Sequence, residues 1–184
     1  MRVIAGALKG RRLVTPRGDT TRPTADQVRI ALMDTLAPWL PDANVLDLFA
    51  GAGGVGVEAL SRGAAHATFV ERDAKAIAAL EANVRALGLE SRAAVARGDV
   101  VRQLERLAGP GRRFEIIFLD PPYATDDGAR VLAALGDGAL LSPGGLVVAQ
   151  HLTKRRLATE YGVLRAFRDR RFGETTLTFF RAEG

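Results

Sequence analysis

Cysteine is absent from the 184-residue chain, which excludes disulfides, cysteine-ligated metals and thiolate nucleophiles. Histidine occurs only twice, at His66 and His151, and nothing in the sequence places the two as a metal pair, so we expect no metal site. No apolar run approaches the roughly 18 residues that a membrane span requires, and the first residues lack the apolar stretch of a secretory signal. We therefore expect a cytoplasmic protein with no membrane partner.

Charged residues are plentiful but unevenly distributed. Residues 1–29 carry seven Lys or Arg against two acids, residues 152–184 carry eight against four, and residues 30–151 carry eleven against fifteen. The formal net charge of +5 alone would suit a purely solubilising role. Two basic ends around an acidic centre favour instead ends that contact a polyanion and a centre that binds a cationic or hydroxyl-rich ligand.

Strand and helix patterns alternate along most of the chain, whose composition of 47% apolar and 26% charged residues is typical of a globular domain. Short apolar runs predict strands at residues 45–49, 67–70, 93–96, 114–119 and 145–150. Helical spacing predicts helices at residues 55–62, 73–87, 100–107 and 127–135. Repeated strand–helix units predict an α/β fold with a mostly parallel sheet and helices on both faces.

The two ends of the chain depart from this alternation. Hairpins are predicted there from residues 1–5 with 12–15 and from residues 163–171 with 175–181. Thr24 has the sequence context of a helix cap, so a helix is expected to open at that residue. We therefore expect an N-terminal hairpin extension over residues 1–23 and one α/β domain over residues 24–184.

A Gly-rich turn follows the first predicted strand, in the segment 47–56. Gly51, Gly53 and Gly56 satisfy the G-x-G-x-x-G pattern of dinucleotide-binding folds, in which glycines let a ligand approach the backbone. The pattern alone is weakly specific. A tight turn of purely structural origin and a nicotinamide-dependent enzyme both stay open at this point.

Carboxylates stand at or near the ends of four successive predicted strands, at Asp47, Glu71, Asp99 and Asp120. Because the carboxyl ends of parallel strands form the ligand-binding edge of an open sheet, we expect these acids in one row. Such a row suits ribose hydroxyls, an adenine amine, a methionine ammonium and a sulfonium, whereas it would repel a pyrophosphate. The row favours S-adenosylmethionine over a dinucleotide, while Asp73 is expected only to cap a helix.

The turn Asp120-Pro121-Pro122-Tyr123 directly follows a strongly β-prone strand. Its prolines fix φ and remove two backbone donors, so the turn is stiff and offers acceptors. If the Asp120 carboxylate and the Pro121 carbonyl each accept one N–H of a conjugated amine, the nitrogen lone pair can point at a methyl group held in line. Tyr123 is placed to stack on a base. The turn predicts methylation of a ring amine without distinguishing adenine, cytosine and guanine.

These motifs together resemble the class I S-adenosylmethionine-dependent amino-methyltransferases. Over nearly its full length the chain is similar, more narrowly, to the bacterial 16S rRNA guanine-N2 methyltransferases that modify guanine 966. The segments that carry the narrower resemblance are 2–6, 9–13, 22–24 with Arg29, 58–64 and 172–175. The resemblance implies a Rossmann-like core of seven strands with an N-terminal hairpin. It also implies an RNA substrate presented on the assembling small ribosomal subunit.

The resemblance further implies roles for individual residues. The residues implied in catalysis are Asp120, Pro121, Pro122 and Tyr123, and those implied in cofactor binding are Asp47, Phe49, Gly51, Gly53, Glu71, Arg72, Asp99 and Val100. Glu71 would hold the cofactor ribose and Asp99 the adenine amine, with Gly51 and Gly53 facing the methionine part. Gly54 departs from the small non-glycine residue expected there, so we expect a looser loop.

The basic ends are expected to bind RNA as a cationic rim around an acidic cofactor pocket. The residues expected to do so are Arg11, Arg12, Arg22, Arg29, Arg168, Arg170 and Arg171. Gln27 and Ile30 stand where the family more usually has Arg and Glu, which leaves Arg29 as the cation of the first helix. The expected partner is 16S rRNA in the small ribosomal subunit or its assembly intermediate, and we expect a monomer.

Three alternatives stay open at this stage. An adenine-N6 methyltransferase acting on DNA or RNA shares the Asp-Pro-Pro-Tyr turn, although 184 residues leave little room for a target-recognition segment. A non-catalytic RNA-binding protein on the same scaffold would not need the acids or the Pro-Pro turn. A NAD-linked enzyme is disfavoured by the acid row.

Overall fold

Eight strands form one sheet in the computed structural model, which describes residues 1–16 and 23–183. The predicted RNA-binding residue Arg22 lies outside the described residues. The strands are β1 Asn44–Leu48, β2 His66–Glu71, β3 Ala93–Arg97, β4 Phe114–Leu119, β5 Leu141–Leu152, β6 Glu160–Tyr161, β7 Leu164–Phe172 and β8 Thr175–Ala182. The helices are α1 Pro23–Leu36, α2 Gly54–Ser61, α3 Ala74–Ala86, α4 Val100–Leu107 and α5 Asp127–Ala134, with a 3-10 helix at Ala37–Trp39.

The sheet has the strand order β3-β2-β1-β4-β5-β8-β7-β6. Strands β1 to β5 are parallel, and β8 is inserted antiparallel between β5 and β7. This arrangement confirms the predicted α/β fold with a C-terminal antiparallel hairpin. The expected number of seven strands was low by one, because the two residues of β6 are too few to leave a periodic signal in the sequence.

The helix starts follow local capping chemistry. Asp73 caps α3 as expected, since its side chain accepts two backbone N–H bonds, at 3.0 and 2.8 Å. Asp99 caps α4 in the same way through one N–H at 3.2 Å. Helix α1 begins at Pro23, in keeping with the preference of proline for the first helical position. The range of α1 includes Thr24, and the role of Thr24 as the cap of this helix stays a prediction.

The N-terminal hairpin is bound into the packing of the domain. Arg2 and Arg12 form an antiparallel bridge, so the predicted hairpin is present in a shortened form. Val3 and Leu13 are buried in the same hydrophobic layer as α1, α2 and α3. The fully buried carboxylate of Glu58 in α2 accepts the N–H groups of Ile4 and Ala5, at 2.8 and 2.9 Å. The hairpin thus satisfies a buried charge of the core.

Candidate active site

A cavity of about 300 Å³ opens at the carboxyl ends of β1 and β4. The chain continues from β1 to β2 on one side, while β4 pairs with β1 on the other, so this is the switch point at which open α/β sheets bind ligands. The cavity is lined from the strand ends and the Gly-rich turn by Asp47, Phe49, Gly51, Gly54, Asp120 and Gln150, among others. Met1, Asp26 and Arg29 line it from the hairpin and α1.

The Gly-rich turn between β1 and α2 presents its backbone to this cavity. Gly51 has a φ of +56° and open space where a Cβ would stand, so a ligand can approach it closely. Phe49 has a φ of +60°, a costly conformation for a non-glycine residue that is found at functional sites. Gly53 differs, because a Cβ there would collide with Leu80 in the core. Gly53 therefore serves the packing of the turn.

Gly54 makes room for side chains that reach the turn from the N-terminal segment. A Cβ at this position would lie 2.8 Å from the sulfur of Met1 and 3.1 Å from Nη1 of Arg29. Met1 and Arg29 therefore occupy the space that the Cβ of a non-glycine residue would fill. The expectation of a looser loop stays a prediction.

Glu71, the last residue of β2, holds the Gly-rich turn in place. Its Oε2 accepts the N–H of Gly51 at 2.8 Å, and its Oε1 accepts those of Arg72 and Asp73, at 2.8 and 2.9 Å. A carboxylate offers about four acceptor sites, so Oε2 keeps capacity for a further donor. Glu71 thus links the position of the Gly-rich turn to a ligand bound at the end of β2.

Asp47 and Asp120 form the acidic floor of the cavity. Asp47 is buried in β1 and accepts the N–H of Gly56 at 2.9 Å. Burial raises the pKa of Asp47 to about 8, helped by the nearby charges of Asp120 and Glu71 and opposed by that hydrogen bond. Burial also raises the pKa of Asp120 to about 7. A cationic ligand in the cavity would favour the ionised form of both carboxylates.

The Asp120–Tyr123 turn connects this cavity to the protein surface. Pro121 is buried, whereas Tyr123 is 38% exposed. The amide of Gln150 donates a hydrogen bond to the Tyr123 hydroxyl at 3.0 Å. A second cavity of about 110 Å³ lies beside the turn and shares Gln150 with the first. The turn therefore lies between two adjoining cavities.

Five residues of the predicted cofactor set do not line the cavity of about 300 Å³, namely Gly53 and Glu71, described above, and Arg72, Asp99 and Val100. Arg72 is exposed, and its backbone N–H binds Glu71. Asp99 and Val100 follow β3, which pairs with β2 in parallel. They extend the carboxyl edge of the sheet beyond Glu71. Val100 is the first residue of α4 and is buried in the hydrophobic layer that this helix shares.

The predicted RNA-binding arginines divide into three structural groups. Those that are exposed are Arg11, Arg12, Arg168 and Arg171. Arg170 is half-buried and donates a hydrogen bond to the hydroxyl of Thr35 at 2.7 Å, which ties the C-terminal hairpin to α1. Arg29 is only 6% exposed and lines the cavity. The structure thus separates Arg29 from the surface cations.

Sequence reasoning missed two groups beside the Asp120 turn. Gln150 directly follows the buried apolar run 146–149 of β5, next to β4, and the rule that ligands bind at carboxyl ends of strands could have found it. Arg155 and Arg156 line the smaller cavity from the loop after β5. Together with Lys154 they form three consecutive exposed cations, a pattern visible in the sequence.

A larger hollow of about 640 Å³ lies at the opposite edge of the sheet, around Asn44 and His66 at the starts of β1 and β2. It lacks the carboxylate row, and the amino ends of parallel strands are not the ligand-binding edge of this architecture. We therefore place the active site in the cavity of about 300 Å³ at the carboxyl ends of β1 and β4. Within residues 1–16 and 23–183, no group of three or more potential metal ligands comes together, and no helix has the length and apolar character of a membrane span.

Comparison with known proteins gives concordant matches. Residues 1–181 match the family described as Conserved hypothetical protein 95. The Bacillus subtilis protein YlbH is 39% identical over 184 residues, covering 100% of both chains. Ribosomal RNA small subunit methyltransferase D of Escherichia coli K12 is 33% identical over 183 residues, covering 100% of this chain and 90% of the relative. The solved structure of Escherichia coli yhhF has a TM-score of 0.87 at 33% identity, covering 100% of this chain and 98% of that one.

The chain belongs to this family. Family membership confirms the resemblance to bacterial 16S rRNA guanine-N2 methyltransferases that the sequence motifs indicated. The agreement with the yhhF structure over the whole chain confirms the Rossmann-like class I methyltransferase fold.

Proposed function

We propose that the protein transfers a methyl group from S-adenosylmethionine to the exocyclic N2 amine of guanine 966 in 16S rRNA, on the assembling small ribosomal subunit. Family membership makes it an S-adenosylmethionine-dependent rRNA methyltransferase, and the base and its position are the finer proposal. The observation that carries the chemistry is that the Asp120 carboxylate lines the same cavity as the open face of Gly51. That arrangement sets an amine-binding turn beside a cofactor-binding turn.

The residues around the cavity fit the cofactor, which supplies a methyl group on a positively charged sulfur. Asp47 and Asp120 provide negative charge that a sulfonium and an ammonium would stabilise. The remaining capacity of Glu71 Oε2 suits a ribose hydroxyl. Asp99 uses only Oδ1 in capping α4, so its other oxygen is available to an adenine amine. The row of acids thus matches the cofactor from methionine to adenine.

Asp120 and Pro121 would prepare the target amine. The Asp120 carboxylate and the Pro121 carbonyl each accept one N–H, which turns the nitrogen lone pair toward the methyl group. As the methyl carbon passed from the cofactor sulfur, which would keep the electron pair of the broken bond, to the nitrogen, positive charge would move to the nitrogen. A nearby carboxylate would stabilise that charge more strongly in the transition state than in the ground state. The proton that the nitrogen then loses passes to Asp120, whose pKa of about 7 suits an acceptor near neutral pH.

The smaller cavity would receive the target nucleotide. Tyr123 is half-exposed, is fixed by Gln150, and presents an aromatic face on which a base can stack. Arg155 and Arg156 border the same hollow and supply cations for the adjoining phosphates. This cavity is open at the surface, so a base of an RNA can enter it. Pro121, Pro122 and Tyr123 of the Asp120 turn line it.

The proposal is tested with small ribosomal subunits that lack the modification, incubated with the protein and S-adenosylmethionine. Nucleoside mass mapping should find N2-methylguanosine at guanine 966. The Asp120→Asn variant should lose this activity, and Asp137→Asn, an exposed aspartate in the turn after α5, should keep it. N6-methyladenosine as product would favour the alternative adenine-N6 activity, and methylation of another guanine would refute the assigned position.

A further inference from the structure

Arg29 of α1 is a buried cation in the wall of the cofactor cavity, with hydrogen-bonding capacity that the protein does not use. Its side chain is 6% exposed. Nη2 donates to the carbonyl of Arg2 at 2.8 Å and to Oδ1 of Asp26 at 3.0 Å. Among the described residues, no acceptor lies within hydrogen-bonding distance of the buried Nε, and none is bonded to Nη1.

Retaining a guanidinium in this place is costly for the fold. Burial lowers the pKa of Arg29, and two nearby carboxylates oppose this effect, those of Asp26, whose side chain is half-exposed, and of Glu58, which already pairs with Arg62. One nitrogen, Nη2, makes all the recorded structural contacts. A neutral donor at the same position could make those contacts without burying a charge, which points to a role for the charge itself.

Nη1 of Arg29 lies beside the start of α2. The position where a Cβ of Gly54 would stand is 3.1 Å from Nη1, so the absence of that carbon permits the approach. Gly54 and Val55 line the cavity at this point. The first turn of a helix has backbone N–H groups without helical partners and carries partial positive charge. Arg29 and the start of α2 therefore face the same space with positive potential.

The charges around the cavity match one group of the cofactor. Arg29 is the one Lys or Arg side chain that lines this cavity among the described residues, whereas three aspartates line it. S-adenosylmethionine carries two cationic groups, the sulfonium and the ammonium, and one anionic group, its carboxylate. We propose that Arg29, through Nη1, binds the carboxylate of the methionine moiety at the start of α2. This assignment rests on the proposed function and fixes the direction in which the cofactor lies in the cavity.

Two ligands that differ only in the carboxylate isolate this contact. Calorimetry gives the ratio of the affinities for S-adenosylmethionine and decarboxylated S-adenosylmethionine. The wild-type protein should prefer the carboxylated ligand by about 10- to 100-fold, the range expected for a charge-assisted hydrogen bond. Arg29→Met should reduce this preference to within about threefold, and Arg29→Lys should keep part of it.

The control variant is Arg92→Met, which removes a half-buried cation that donates to the carbonyls of Leu60 and Ala64 and does not line the cavity. It should keep the full preference even if it weakens packing. If Arg29→Met weakens both ligands equally and leaves the preference intact, Arg29 is a structural residue and the assignment is wrong. A full preference together with a flatter salt dependence of RNA binding would assign Arg29 to a phosphate instead. Failure of the wild-type protein to bind S-adenosylmethionine at all would overturn the proposed function, and this assignment with it.

Discussion

The affinity for S-adenosylmethionine should rise steeply with pH around neutrality, because two buried carboxylates must ionise to meet its charge. The pKa of Asp120 is raised to about 7 and that of Asp47 to about 8. Between pH 6.0 and 7.5 the ionised fraction would grow about eightfold for a pKa of about 7 and about 24-fold for one of about 8. The affinity should therefore rise by about eightfold if only Asp120 must ionise, and more steeply if both must.

The measurement is calorimetry with S-adenosylmethionine and S-adenosylhomocysteine across this pH range, in buffers of different ionisation enthalpy that report proton release. Both ligands carry the same ammonium and carboxylate, so the ratio of their affinities isolates the sulfonium charge. That ratio should increase with pH, and Asp47→Asn and Asp120→Asn should each flatten the increase. A ratio that does not change between pH 6.0 and 7.5 would show that the two aspartates do not sense the sulfonium.

Further expectations concern single sites. Glu71→Ala should weaken S-adenosylhomocysteine binding about tenfold to a hundredfold in calorimetry, because it removes the ribose acceptor and releases the Gly51 N–H. Asp120→Ala should slow single-turnover methylation of ribosomal subunits by about 10²–10³ when S-adenosylmethionine is saturating. The folded pKa of Asp47 lies above its ordinary value, so the free energy of unfolding should fall as pH rises from about 4 to about 8, and thermal melts of Asp47→Asn should show a shallower fall. The double substitution Arg11→Ala with Arg12→Ala should flatten the slope of log RNA affinity against log salt by more than about one unit, while cofactor titrations stay unchanged.

Periodicity predicted the central part of the fold because each element there has a strong local signal. The boundaries predicted for α4 and β4 are those of the structure, since both are bounded by Gly, Pro or Asp residues with defined backbone roles. The segment after β5 has a weak pattern, and the sequence did not predict its short strand. Strand β6 forms because Glu160 and Tyr161 pair with β7. Two residues are too few to show the periodic pattern of a strand in the sequence.

The acid row could be predicted because strand ends in a parallel sheet share one edge. Asp47 and Asp120 meet there as expected, since β1 and β4 are neighbours in the sheet. The roles of cations could not be predicted in this way. Arg29 and Arg12 look alike in a charge count, but one is buried beside the cavity and the other is exposed on the hairpin. Burial of an arginine depends on which face of α1 meets the sheet and hairpin.

The inner face of the N-terminal hairpin stabilises the domain, whereas its outer face is the one expected to bind RNA. This difference determines how the RNA contacts of the hairpin can be tested. Its inner side supplies the amides that satisfy Glu58, and Arg2 supplies the carbonyl that holds Arg29. Deleting the hairpin would remove two backbone donors from the Glu58 carboxylate, and each hydrogen bond to a charged group contributes about 1.5–3 kcal/mol. A truncated protein that lost RNA binding would therefore show only that the domain had been damaged. Substitutions confined to the outer side, at Arg11 and Arg12, leave these contacts in place and separate the RNA interaction from the stability of the fold.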